Sequence, residues 1–145
     1  MQLTMYTDYS LRVLLFLAVQ PEGTVGGIAD AYAISRNHLV KVVHHLALAG
    51  FIESQRGRNG GIRLARDARE INVGDVVRRC EPNFHLVECF DPERGKCVVN
   101  PACQLKGVLA RAHQAFMAEL DRHTLADIAT NPGELAPLLG IGAED

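Results

Sequence analysis

The first apolar residues of the chain recur at helical spacing. Thr4 and Thr7 precede most of them, and either hydroxyl can accept a hydrogen bond from backbone N–H groups two or three residues further on. Pro21 and Gly23 follow, and both residue types end helices. We therefore predict a first helix before Pro21, with one apolar stripe formed by Leu11, Leu14, Leu15 and Ala18.

Two more helices are predicted before residue 50. A short helix is expected around residues 28–32, after the Gly26-Gly27 pair. Ser35 is the expected N-cap of a third helix, which Gly50 ends as a residue in the left-handed conformation. Four apolar residues recur at helical spacing and form the predicted buried face of this third helix: Leu39, Val42, Val43 and Leu46.

A β-hairpin is predicted next. Residues 51–55 and 62–65 are typical of two short strands, and the Asn59-Gly60 pair in the connection favours positive φ angles. Three helices followed by a hairpin is the order of a winged helix-turn-helix. The predicted fold class is therefore mainly α, with a small β-hairpin wing.

The third helix of such a fold lies in the major groove of DNA, with its first turn toward the base edges. It would present Ser35, Arg36, Asn37 and His38 to DNA, with Lys41 near phosphates. Arginine can pair with guanine and asparagine with adenine, whereas a lysine on a phosphate adds affinity without sequence information. The polar residues could instead be an ordinary solvated helix face.

The residues at the hairpin tip favour DNA contact over an ordinary solvated helix face. Arg56 and Arg58 are predicted to enter the adjacent minor groove, and Asn59 lies beside them. Residues 1–66 contain 7 Lys/Arg and 4 Asp/Glu, whereas the remainder contains 8 and 13. A basic half joined to an acidic half indicates a part that binds a polyanion, coupled to a sensing part.

The second half contains four cysteines close together. A short helix over residues 73–79 is predicted to lead to Cys80, and residues 81–100 are predicted to be loop because of their prolines and turn formers. Asn100 is expected to cap a long helix whose first turn contains Pro101 and Cys103. A helix N-terminus would stabilise a Cys103 thiolate.

The long helix from Pro101 is predicted to mediate dimerisation. It would run for about 20 residues, or roughly 30 Å, and the chain has too few other elements to cover its apolar side. Thr124 and Asp127 predict a capping box for a brief helix that ends near Thr130. The expected apolar stripe of the long helix is Leu105, Val108, Leu109, Ala112, Phe116 and Leu120.

The predicted organisation has four parts. Residues 1–70 form the winged helix-turn-helix domain, and residues 71–100 form a linker helix and a cysteine-bearing loop. Residues 101–130 form the dimerisation helix and the short helix after it, and residues 131–145 form a flexible tail.

Composition and sequence patterns limit the classes of protein to which this chain can belong. With 145 residues and 48% hydrophobic positions, the chain can bury one core without disulfides or metals. The apolar stretch from Leu11 to Val19 is too short to cross a bilayer, and no signal-peptide pattern is found, so we expect a cytoplasmic protein without a membrane span. No catalytic constellation is found, so we do not predict an enzyme.

Cysteines in a reducing compartment indicate metal or redox chemistry. Cys89, Cys97 and Cys103 follow the spacing Cys-x7-Cys-x5-Cys, which differs from a zinc ribbon and needs a fourth ligand. Soft thiolates favour an iron–sulfur cluster, and zinc completed by His85 or Asp91 is the alternative. Cys80 is expected to be a buried core residue.

Four stretches carry a resemblance to a known family. Residues 2–12, 35–41, 56–64 and 101–106 closely resemble the iron–sulfur winged-helix repressors, a family that includes IscR, and in particular its nitric-oxide-sensing members. The resemblance covers about residues 1–130. IscR has a His three residues after its third Cys, where this chain has Lys106, and this difference favours the nitric-oxide-sensing members.

The resemblance implies a homodimeric repressor that binds operator DNA in its cluster-bound form and releases it when nitric oxide attacks the cluster. It implies Cys89, Cys97 and Cys103 as ligands, with Asp8 of the opposite protomer as the fourth. A [4Fe-4S] cluster is favoured and [2Fe-2S] is the alternative. Asp8 could equally serve only to offset the dipole of the first helix, and the signal could be cluster status or peroxide.

Overall fold

Seven α-helices and one two-stranded hairpin make up the described part of the chain. The structure is a computed structural model, and it describes residues 2–55 and 60–142. The helices are α1 (Met5–Val19), α2 (Val25–Ala31), α3 (Arg36–Leu48), α4 (Val73–Cys80), α5 (Gln104–Asp121), α6 (Leu125–Ile128) and α7 (Pro132–Leu138), and the strands are β1 (Ile52–Ser54) and β2 (Ile62–Leu64). The strands are antiparallel, with Glu53 opposite Arg63. The predicted fold class is confirmed.

Helix α1 lies at the centre of the molecule. Its N-cap is Thr4, whose hydroxyl accepts a hydrogen bond from the Thr7 N–H at 3.3 Å. The predicted apolar stripe is wrong in part, because only Leu14 of its four members is fully buried. The helix contacts α3, α4, α6, α7 and β2, so its buried surface extends around the helix beyond a single stripe. That surface comprises Thr7, Ser10, Val13, Leu14, Phe16 and Leu17.

The helix-turn-helix forms as its local signals require. Helix α2 begins at Val25, earlier than predicted, because the Thr24 hydroxyl caps it by accepting a hydrogen bond from the Gly27 N–H at 3.0 Å. Ser35 occupies the N-cap position of α3 but makes no capping hydrogen bond with its side chain. Gly50 follows α3 with a φ of +76°, as predicted. Leu39, Val42 and Leu46 form the buried face of α3.

Helix α4 joins the winged-helix half to the cysteine half. Val76 and Cys80 are members of the same buried cluster as the core residues of α1. The Glu81 carboxylate, just after α4, accepts a hydrogen bond from the Thr4 backbone N–H at 2.7 Å. The start of α1 is therefore attached to the chain where the cysteine-bearing loop begins.

The long helix begins later than predicted. Asn100–Ala102 is a separate 3₁₀ turn, and Cys103 has an extended conformation with a ψ of 107°, so α5 begins at Gln104. Asn and Pro initiate turns as well as helices, and here they initiate the turn. Cys103 is therefore the N-cap residue of α5, and the Asn100 side chain accepts a hydrogen bond from Lys106 Nζ at 2.8 Å.

Helix α5 divides its apolar residues between two faces. Met117, which the predicted stripe omits, is the buried residue of this helix, and α5 packs against α4. Arg78 of α4 donates two hydrogen bonds to the Asp121 carboxylate at 2.7 and 2.5 Å. Leu105 and Val108 remain 62% and 50% exposed. Much of the predicted stripe is thus uncovered in a single chain.

The end of the described chain is helical. The capping box of α6 is confirmed, because Thr124 and Asp127 exchange backbone-to-side-chain hydrogen bonds. The sequence predicts a flexible tail from residue 131 onward. In the structure, residues 132–138 form α7, which contacts α1. Leu139 and Ile141 pack against the core, and this packing attaches the segment to the rest of the molecule. Over the described ranges, every helix is too short or too polar to cross a bilayer.

The central position of α1 gives a stability prediction. Replacing the fully buried Leu14 with Ala should lower the free energy of unfolding by about 2–5 kcal/mol, because it leaves a cavity in the core. Leu48, which is 75% exposed on α3, is the matched control, and Leu48→Ala should change stability by no more than about 0.5 kcal/mol. Urea denaturation followed by circular dichroism measures both. Equal effects of the two substitutions would contradict this packing.

Candidate DNA-binding surface and cysteine cavity

The first turns of α3 form an exposed polar surface. Ser35, Arg36, Asn37, His38 and Lys41 are all exposed, whereas Leu39 between them is fully buried. The buried leucine fixes the rotation of the helix, so the polar side chains project outward. This surface can hydrogen-bond to base edges and to phosphates.

Helix α1 supports this surface from behind. The Tyr9 ring stacks on the His38 ring, with centroids 6.5 Å apart. The Tyr6 hydroxyl donates a hydrogen bond to the Lys41 carbonyl at 3.3 Å. Helix α1 therefore contacts α3 directly, and a shift of α1 would change the contacts that support this surface.

The wing is described only up to its tip. An ion pair between Arg63 and Glu53, 2.6 Å long, joins its two strands on their exposed side. The predicted minor-groove residues Arg56 and Arg58, together with Asn59, lie outside the described residues.

Asp8 is engaged by a neighbouring arginine. Its carboxylate oxygens accept hydrogen bonds from Arg12 Nε at 3.1 Å and Nη2 at 2.8 Å, and both side chains are partly exposed. The Arg12 guanidinium also lies 5.9 and 5.8 Å from the ring centroids of Tyr9 and Tyr32. Burial raises the pKa of Tyr32, whose hydroxyl has no hydrogen-bond partner among the described residues.

The four cysteines are free thiols in different environments. Cys80 is buried in the core, and its burial raises the pKa of the thiol, so it stays protonated and is a poor metal ligand. Cys89 and Cys103 are partly buried, and Cys97 is exposed. The three thiols predicted as ligands are therefore the three that lie outside the core.

A cavity of about 600 Å³ lies between the cysteine-bearing loop and α5. Two residues that the sequence suggested as alternative ligands face each other in it, with His85 Nδ1 3.7 Å from Asp91 Oδ2. The cavity lining includes Cys89, Lys106 and His113. The cavity is open to solvent, and its lining includes one of the three cysteines predicted as ligands.

His113 is a residue that the sequence analysis missed. Its Nε2 atom is buried without a hydrogen-bond partner among the described residues, and its ring lies 5.0 Å from that of Phe84. Leaving a buried polar atom without a partner is costly, so a water molecule, an ion or a ligand atom would be favourable beside it. A lone histidine in a long helix gives no sequence signal, because its inward direction depends on which face of α5 meets the loop.

The predicted ligands are not assembled within one protomer. Over residues 2–55 and 60–142, no three His, Cys, Asp or Glu side chains are grouped closely enough to hold a metal ion. The donor chemistry nevertheless fits a thiolate-bound metal group, because three reduced thiols outside the core border one loop and the start of α5. A metal group would therefore require the loop to bring the three thiols together, with a fourth donor from this chain or from a second protomer.

Comparison with known proteins agrees with this architecture. The Rrf2 family, described as iron-dependent transcriptional regulators, matches residues 3–131. The HTH-type transcriptional regulator NsrR of Shouchella clausii is 53% identical over 142 residues, which cover 96% of this chain and 95% of that protein. NsrR of Bacillus subtilis is 49% identical over 142 residues, covering 96% of this chain and 97% of that protein.

Solved structures show the same fold. The structure of T. potens IscR superimposes with a TM-score of 0.73 at 26% identity, covering 93% of this chain and 90% of that one. The oxidised form of Staphylococcus aureus CymR gives a TM-score of 0.70 at 29% identity, covering 89% and 96%. The winged-helix half and the long helix are thus shared with transcriptional regulators of known structure.

The cysteine environments predict an order of thiol reactivity. In the chain stripped of metal by a chelator, N-ethylmaleimide should modify Cys97 first and Cys80 last, because Cys80 is buried and its pKa is raised. Mass spectrometry of peptides quenched at successive times measures the order. In urea all four cysteines should react at similar rates, and fast modification of Cys80 in the folded chain would contradict the structure.

Proposed function

The chain belongs to the Rrf2 family of transcriptional regulators, and we propose that it is a nitric-oxide-responsive repressor. In this proposal a homodimer carrying an iron–sulfur cluster binds operator DNA and releases it when nitric oxide is present. The observation that supports it is the combination of an exposed polar surface on α3 with three thiols outside the core of the other half. A regulator of this kind acts on chromosomal DNA in the cytoplasm and is not an enzyme.

Operator binding is proposed to use α3 and the wing. Asn37 and His38 are exposed on the first turn of α3 and are proposed to contact base edges, and the exposed Lys41 is proposed to contact a phosphate. Arg56, Arg58 and Asn59 of the wing tip are proposed to reach the minor groove. Ser35 and Arg36 complete the surface.

The cluster is proposed to bind at the cysteine half. Cys89, Cys97 and Cys103 are the thiolate ligands, and Asp8 of the opposite protomer is the fourth ligand, with [4Fe-4S] favoured over [2Fe-2S]. When bound, the cluster supplies iron that reacts with nitric oxide. The Asp8 carboxylate is a harder donor than a thiolate and exchanges more readily. Its contact with Arg12 gives it a second partner within its own helix when it is not a ligand.

Dimerisation is proposed to bury the outer face of α5. Leu105 and Val108 on this face are exposed in the single chain although they are large and apolar. An isologous contact between two α5 helices would cover them and would bring the α1 helix of one protomer toward the loop of the other. Such a contact would supply the donor that one protomer lacks.

One observation favours a second candidate, a zinc-bound regulator. His85 and Asp91 face each other in the cavity beside α5, which Cys89 also lines, and imidazole, carboxylate and thiolate are all zinc ligands; this candidate too requires the loop to bring a third ligand close. Elemental analysis of anaerobically purified protein separates the two candidates. Iron with acid-labile sulfide supports the first, and zinc without sulfide supports the second.

Cysteine substitutions test the proposed cluster. Cys89→Ala, Cys97→Ala and Cys103→Ala should each remove bound iron and sulfide and abolish operator binding while the protein stays folded, because the core does not depend on the metal. Cys80→Ala is the matched control and should keep iron, sulfide and DNA binding. Iron content, sulfide content and DNA mobility shifts measure these outcomes. Full iron, sulfide and DNA binding in Cys97→Ala would refute the ligand assignment.

A separate substitution tests Asp8. Asp8→Ala should retain a bound cluster with an altered absorbance spectrum but should weaken operator binding, because the link from the cluster to α1 is lost. Asp91→Ala is the comparison, since Asp91 lies in the cavity as an alternative ligand. If Asp8→Ala matches the unmodified protein while Asp91→Ala does not, the fourth ligand comes from the cavity.

A further inference from the structure

The Arg36 side chain lies along α2. A Cβ atom built on Gly26 would be 2.6 Å from Arg36 Nη2, 3.2 Å from Cζ and 3.6 Å from Nε. The guanidinium therefore occupies the space that any side chain at position 26 would need. It lies beside the first helix of the helix-turn-helix, although Arg36 belongs to the second.

Gly26 is an unusual residue at this place in a helix. Glycine is a poorer helix former than alanine, and α2 contains it although its φ angle does not require glycine. The absence of a Cβ leaves room for the guanidinium in this structure, and a Cβ at position 26 would displace the end of the Arg36 side chain. The neighbouring Gly27 differs, since a Cβ there would meet the Thr24 hydroxyl at 3.3 Å and not Arg36.

The charge of Arg36 is available for an external partner. Arg36 is exposed, and it makes no ion pair with a carboxylate in the described ranges. In a helix-turn-helix bound to DNA, the second helix reads the bases while the first helix crosses the sugar-phosphate backbone. A guanidinium that lies on the first helix is therefore placed near the backbone and away from the base edges.

We propose that Arg36 contacts a backbone phosphate of DNA from a position on Gly26, and that Gly26 is the residue that positions it. This inference rests on the proposed operator binding and assigns Arg36 a role other than guanine recognition. Base discrimination at the start of α3 then depends on Asn37 and His38. Arg36 contributes affinity that depends on salt and not on sequence.

The test measures affinity for two duplexes as a function of salt. One duplex is selected from a randomised pool by the unmodified full-length protein, purified anaerobically, and the other is a scrambled duplex of equal length. A phosphate contact contributes about 0.9 to the slope of log affinity against log salt, so a fourfold rise in salt weakens one contact by about 3.5-fold. For a dimer that loses two contacts, Arg36→Ala should reduce the salt-induced loss of affinity by about 12-fold.

Four further variants sharpen the test. Gly26→Ala should reproduce the smaller salt dependence of Arg36→Ala without lowering the melting temperature, because alanine is the better helix former. The double variant should resemble either single variant. Gly27→Ala is the matched control and should keep the salt dependence of the unmodified protein. Asn37→Ala should lose the preference for the selected duplex and keep the salt dependence.

Two results would overturn the inference. The first is an unchanged salt dependence in Arg36→Ala together with a lost preference for the selected duplex, which would make Arg36 a base reader. The second is an unchanged salt dependence in Gly26→Ala with an altered one in Arg36→Ala, which would remove the positioning role of Gly26. If the unmodified protein prefers neither duplex, operator binding itself fails, and this outcome is distinguishable from both.

Discussion

The burial of α1 between the two halves of the molecule is the constraint on which the rest of the structure depends. Val13 and Leu14 are completely buried, and α1 contacts α3 on one side and α4 on another. Because protein cores are close-packed, a helix shared by two parts cannot shift against one part without disturbing the other. The exposed polar surface of α3 and the cysteine half are therefore both supported by α1.

Residues at the start of α1 also contact both halves of the molecule through their polar and aromatic groups. Tyr9 stacks on His38 of the exposed polar surface of α3, and the start of the helix is hydrogen-bonded to Glu81, where the cysteine-bearing loop begins. Asp8 and Arg12 lie on the same helix and contact each other. If Asp8 exchanges Arg12 for another partner, that change occurs on α1, the helix that also supports α3. Allosteric control needs two arrangements of such an element, and α1 is the helix that packs against both α3 and α4.

Local signals predicted most of the fold, and tertiary contacts decided the rest. Gly50, Thr124 and the spacing of Leu39 and Leu46 act within a few residues, so the helix end, the capping box and the buried face of α3 could be predicted. The start of α5 could not, because Asn100 and Pro101 are equally compatible with a turn. The position of α7 depends on its contact with α1, which is distant in sequence.

The candidate site was predictable to a similar extent. The exposure of the α3 surface follows from the burial of Leu39, which periodicity predicts. The buried Cys80 also agrees with its apolar neighbours in the sequence. The inward direction of His113 and the position of Arg36 on Gly26 depend on how two elements meet, and no pattern within one element encodes that.

The most direct test of coupling through α1 is an anaerobic titration with nitric oxide, in which cluster absorbance and DNA binding are recorded on the same sample. The proposed coupling predicts that operator DNA is released over the same range of nitric oxide in which the absorbance is lost. DNA that stays bound after the absorbance has disappeared would contradict it.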